Sequence, residues 1–142
     1  MVIAWKLQAR LTALEIGELL REALFHRFAQ QTHLAKGLEF LTDNGPEFIS
    51  DLLQQLLTRL GLIACHTPCR SPQSNGLVES FFGSFKRDYL SHQPLETLAQ
   101  ALKLIPTWIT HYNEVAPHSA LAMSSPATFY QRSLTESQTK TT

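Results

Sequence analysis

Asp43 and Glu79 are the residues whose types and settings suit chemistry, with 35 residues between them. Asp43 lies in Leu41-Thr42-Asp43-Asn44-Gly45-Pro46, and Glu79 closes Ser74-Asn75-Gly76-Leu77-Val78-Glu79. Hard divalent cations take oxygen ligands, commonly one or two carboxylates with water and a substrate phosphate. Two such ions about 3.5–4 Å apart activate an attacking oxygen and stabilise the leaving one in phosphodiester chemistry. Asp43 and Glu79 would hold metal from different elements, and Lys86, two helical turns beyond Glu79, could contact a phosphate. A two-metal site ordinarily takes one more carboxylate, and no aspartate precedes Asp43. Each residue also has an ordinary use. Asp in an Asp-Asn-Gly turn caps and turns the chain, Glu near a helix start answers the helix dipole, and an exposed Lys is a solvated charge.

The elements that must position these groups alternate between strand and helix. Residues 2–9 (VIAWKLQA) read as a strand. Thr12 and Glu15 form a capping-box pattern ahead of Ile16, Leu19, Leu20, Ala23, Leu24 and Phe28, which recur at the helical period. Residues 38–42 form a strand running into Asp43. The turn at residues 43–46 is expected to start the next helix, with Pro46 at its first position. Phe48, Leu52, Leu53, Leu56, Leu57 and Leu60 supply that helix's apolar stripe, and Gly61 its C-cap. Residues 62–66 are a third strand, and residues 67–75 a mobile loop bearing Arg70 and Asn75.

Residues 76–90 read as a helix with Val78, Phe81, Phe82, Phe85 and Tyr89 on one side and Glu79, Gly83 and Lys86 sharing another face. After a break at residues 92–94, a long helix kinked at Pro106 turns Leu95, Leu98, Leu102, Ile105, Ile109 and Tyr112 inward. A short helical turn opens at Ser125-Pro126, and the polar residues 133–142 read as a disordered tail. The alternation argues for one α/β domain over residues 1–132, with a sheet covered by helices.

Twelve basic and twelve acidic residues give a formal net charge of +0, which counts mildly against a nucleic-acid binder without excluding a local basic groove. Cys65 and Cys69 are too few and too close for a disulfide framework and point to a reducing compartment. With His66 they make only half a zinc cluster. His66, His111 and His118 read singly as loop or surface imidazoles, and Trp5 and Trp108 as core. No apolar run approaches the roughly 20 residues of a membrane span.

Several segments in order carry a family likeness. They are Leu41-Thr42-Asp43-Asn44-Gly45, Arg70-Ser71-Pro72-Gln73-Ser74-Asn75-Gly76 leading to Glu79-Ser80-Phe81, Lys86-Arg87-Asp88-Tyr89, and Tyr112-Asn113-Glu114 with Pro117-His118-Ser119 and Ser125-Pro126. With the 35-residue interval, the chain resembles the catalytic core of OrfB-type insertion-sequence transposases, relatives of retroviral integrases. The resemblance implies a ribonuclease-H-like fold and an Asp/Asp/Glu triad that binds Mg²⁺ or Mn²⁺. It implies DNA as partner, both transposon ends and target, with cleavage followed by joining of a 3′-hydroxyl. Asp43 matches the second aspartate and Glu79 the glutamate, as catalytic and metal-binding residues. Lys86, Arg70, Asn75, Asn113 and His118 match positions expected to contact DNA, although Ala116 stands where the family usually has a basic or polar residue.

The family's first aspartate, on an opening strand, and the strand after it have no counterpart here. The expectation is an integrase core lacking its first two strands and, alone, inactive in strand transfer. Glu15, Glu18, Glu22, Glu39 and Asp51 do not match the missing position. The resemblance further implies a homo-oligomer or association with other transposase subunits, in a prokaryotic cytoplasm near the nucleoid. The rival readings are a non-catalytic remnant that binds DNA or transposase subunits, and a product that never folds stably.

Overall fold

The computed structural model describes residues 1–29, 35–66 and 76–139. They form α1 (Ala13–Phe28), β1 (Glu39–Thr42), α2 (Asp51–Leu60), β2 (Ile63–His66) and α3 (Gly76–Phe85), which passes into a π-helical turn (Lys86–Leu90). Then come α4 (Leu98–Glu114), a 3₁₀ turn (Ser119–Leu121) and α5 (Pro126–Thr139). The chain divides into two compact units, Ile3–His92 and Met1–Val2 with Gln93–Thr142.

In the first unit, β1 and β2 pair in parallel with Glu39 opposite Ile63 and Thr42 opposite His66. Parallel strands need a crossover, and α2 supplies it. Side chains alternate across the sheet, so Phe40 and Ala64 share the face that packs on the core. That core is Ile16, Leu24, Ala35, Leu53, Leu57 and Leu62, drawn from α1, α2 and the sheet's approaches. Leu53 and Leu57 are 0% and 2% exposed, while Leu52 of the expected stripe is 55% exposed.

The local signals act as their chemistry requires. Thr12 and Glu15 close the capping box of α1. Gly61 takes φ 71°, a left-handed conformation that costs glycine little, and its N–H donates to Leu57 and Thr58 carbonyls to end α2.

Four elements depart from the expectations. Residues 2–9 enter no ladder, since β1 and β2 pair only with each other in the described sheet. Two parallel strands therefore stand where three were expected. Pro46 does not start α2: residues 46–48 make a separate turn, with Phe48 N–H donating to Gly45 O. Ser50 is the N-cap. Its hydroxyl donates to Glu47 O at 2.9 Å and accepts from Leu53 N–H at 3.4 Å.

In the second unit, α4 starts from a capping box of Thr97 and Gln100 and runs through Pro106. Leu98 and Leu102, expected inward, are exposed, and the buried residue of α4 is Ala101. The last helix is far longer than a turn. It continues past Ser133 to Thr139, where the polar composition suggests a disordered tail. Residues 140–142 and residues 67–75, expected to form a loop, lie outside the described residues.

Candidate active site

β1 ends at Thr42 and delivers Asp43 at the carboxyl end of the parallel pair, the side where open α/β sheets place ligands. Asp43 is exposed, and its Oδ1 accepts from Gly45 N–H at 3.0 Å, fixing the carboxylate on the turn. A Cβ at residue 45 would lie 3.1 Å from Asp43 Oδ1 and 3.2 Å from Glu47 Oε1. Glycine thus leaves room for two carboxylates to crowd one turn.

Beside Asp43, Thr42 Oγ1 and His66 Nδ1 are 3.1 Å apart across the register pair that ends both strands. Sequence reasoning had His66 as a loop or surface imidazole. Its place was available in the pattern, because the two strands have equal length and end at one level.

Glu79 lies exposed in the first turn of α3. Among the described residues it makes no hydrogen bond or ion pair. Lys86, also exposed, opens the π turn, where its carbonyl accepts from Ser91 N–H at 2.9 Å. Between them a Cβ at Gly83 would meet nothing within 4 Å. The Glu79–Gly83–Lys86 face is therefore low and accessible, a surface that a polyanion backbone can approach closely. Arg87 is already committed: its Nε and Nη2 donate to Asp88 at 2.7 and 2.9 Å, which raises its pKa further. Asp43, Glu79 and Lys86 all belong to the unit Ile3–His92.

Asn113 and His118 belong to the other unit. The Asn113 side-chain amide brackets one residue, accepting from Val2 N–H and donating to Val2 O, both at 2.8 Å. His118 packs edge-on against Tyr112 with ring centroids 4.6 Å apart, and its Nε2 is buried with no hydrogen-bond partner among the described residues. Arg70 and Asn75 fall outside the described residues, as does Cys69 of the Cys65–His66–Cys69 cluster.

The donors at Asp43 and Glu79 fit a hard divalent cation in kind, being exposed carboxylate oxygens with little protein competing for them. Among the described residues no group of three His, Cys, Asp or Glu side chains is close enough to hold a metal ion. Water and substrate phosphate would have to complete the shell. No helix among the described residues is long and apolar enough to cross a membrane.

Residues 61–126 match the integrase core domain. Over 130 residues the chain is 38% identical to the uncharacterized protein of insertion element IS136 from Agrobacterium fabrum, covering 90% of this chain and 66% of that protein. Over 95 residues it is 41% identical to the transposase InsD of insertion element IS2D from Escherichia coli, covering 67% of this chain and 32% of the transposase. The chain thus spans just under two thirds of one relative and about a third of the other. The crystal structure of the BIV integrase catalytic core overlays with a TM-score of 0.62 at 24% identity, covering 96% of this chain and 80% of that one. At that identity the likeness speaks for the fold alone. It is a mixed α/β, integrase-core-like fold with two parallel strands.

Proposed function

The chain belongs to the integrase-core family that insertion-element transposases share, and from that premise we propose that it carries part of a metal-dependent DNA strand-transfer site. The observation behind this reading is the exposure of Asp43 at the carboxyl end of β1 and of Glu79 in the first turn of α3, both with open carboxylates. Asp43 and Glu79 would hold Mg²⁺ or Mn²⁺ through carboxylate oxygens. When bound, such an ion supplies charge neutralisation at a phosphodiester and lowers the pKa of the attacking oxygen. Gly45 N–H keeps the Asp43 carboxylate from rotating away. Lys86 meets a backbone phosphate across the open Gly83 face. Arg70, Asn75, Asn113 and His118 enter as further DNA contacts on sequence alone, and transposon ends and target DNA as the substrates.

The 142 residues by themselves offer two of the three carboxylates that the resemblance implies. Positioning supplies most of phosphoryl-transfer catalysis, so loss of one ligand costs turnover more than it costs DNA binding. The polypeptide is therefore expected to bind DNA, increasingly weakly as salt rises, and to neither nick nor join it. An oligonucleotide-cleavage assay in Mg²⁺ and in Mn²⁺ tests this. Absence of product with retained binding supports the expected inactivity; nicking that Asp43→Ala and Glu79→Ala both abolish would overturn that expectation and leave the site at these two carboxylates, and nicking that neither abolishes would overturn the site.

A further inference from the structure

Helix α3 leaves a phenylalanine in water beside the candidate site. Of the aromatic residues on this helix and the π turn, Phe85 and Tyr89 are buried, at 7% and 9% exposed, whereas Phe82 is 60% exposed. It lies three residues after Glu79 and four before Lys86, steps that make surface neighbours on a helix. Next to it Gly83 presents no side chain, and a Cβ there would meet nothing within 4 Å. A carboxylate, an aromatic ring, an open gap and an ammonium thus follow one another along one stretch of helix.

The ring is braced rather than loose. Phe82 meets Phe81 edge-on, with centroids 5.2 Å apart and planes at 63°. Phe81 in turn lies 5.5 Å from Phe85, and Phe85 4.9 Å from Tyr89, so the run ends in buried side chains. An edge-on contact occupies at most one face of the Phe82 ring, and a ring so held loses little rotamer freedom when something settles on the other. An apolar protein surface is a poor occupant. It would strip water from Glu79 and Lys86 as well, and desolvating two charges outweighs the burial of one ring. A nucleotide matches the whole stretch: its base offers a flat π face, and its phosphate is the counter-charge that Lys86 takes.

We propose that Phe82 is a base-stacking residue, its ring receiving an unpaired nucleobase of the DNA strand whose phosphate meets Lys86. The inference rests on the reading of this face as a DNA site, and it narrows the substrate there to a strand with at least one base out of the duplex. Within a duplex each base is covered on both faces by its neighbours, so the ring has nothing to stack on until a base is released. Any base serves, because stacking uses the π face and not the edge that carries sequence.

Fluorescence anisotropy of the full chain with a labelled single-stranded thymidine oligonucleotide, and with a fully paired duplex, tests it. Phe82→Ala and Phe82→Leu are each expected to weaken binding to the single strand by about tenfold and to leave the duplex nearly unchanged. Lys86→Ala is expected to weaken both. Phe82→Trp is expected to keep the single-strand affinity, with its emission quenched by the oligonucleotide beyond what Trp5 and Trp108 show in the wild type. Should Phe82→Ala or Phe82→Leu lose the wild-type helical spectrum, that quenching carries the test alone. Single-strand affinity unmoved by these variants, an equal loss on both DNAs, or no added quenching would overturn the proposal and leave the DNA site in place. A wild type that binds neither DNA would instead overturn the DNA reading, and this inference with it.

Discussion

Hydrogen bonds from Gln8 and from the Thr12 backbone and hydroxyl hold the Glu15 carboxyl at a pKa of about 2, against 4.5 ordinarily. A depressed folded-state pKa stabilises the fold above the unfolded value and ceases to do so as pH falls through the folded one. Glu15 is thus expected to contribute fully above pH 4.5 and to lose its contribution between 4.5 and about 2. Thermal melts across that window test it, with Glu15→Gln expected to flatten the dependence. Thr12→Ala, which removes the other half of the box, is expected to cost about 1 kcal/mol at neutral pH, read by denaturant unfolding. The capping box was legible because its two residues are neighbours in sequence. The Asn113 bracket on Val2 was not, because it joins residues 111 positions apart. Asn113→Ala is expected to release the Val2 amide to fast hydrogen exchange; unchanged protection would mean the bracket does not form in solution.

Elements were legible where the chain writes both a period and a stop. α1 and α2 have apolar residues at the helical spacing, and Gly61 ends α2 as a left-handed glycine. Leu53→Ala, at the most buried site of this core, is expected to cost about 2–5 kcal/mol. A cost under about 1 kcal/mol in urea unfolding would argue against the α1–α2 packing described. The start of α2 was misplaced because Pro46 lies in a separate turn, and Ser50, four residues on, supplies the N-cap. Residues 2–9 have strand-like composition, but a strand exists only where another offers its backbone, and propensity does not name that partner. α5 shows the reverse. Its polar composition lacks a clear period, so nothing in residues 133–139 announces the helix that continues there.

At the scale of the whole molecule, the order of motifs carried more than composition did. A formal net charge of +0 speaks against a nucleic-acid binder, yet the chain shares the integrase core with insertion-element transposases. On the proposed reading the charge that would matter is local, at Lys86 beside an open face, and invisible to a sum. DNA affinity is expected to fall with rising salt, and Lys86→Ala to reduce the slope of log affinity against log salt by about 1, measured by fluorescence anisotropy. The division into two units falls within the break expected at residues 92–94, but no composition shift or glycine-rich linker marks that break as a boundary between units.

The proposal that Asp43 and Glu79 hold divalent metal is tested most directly by a Mn²⁺ titration followed by nuclear magnetic resonance of the backbone amides. Signals at residues 43–44 and 79–80 are expected to broaden at the lowest Mn²⁺ concentrations, with Asp43→Asn removing the broadening at its own turn and Glu79→Gln that at residues 79–80. Broadening centred on other carboxylates, or undiminished at its own site in either variant, would contradict it.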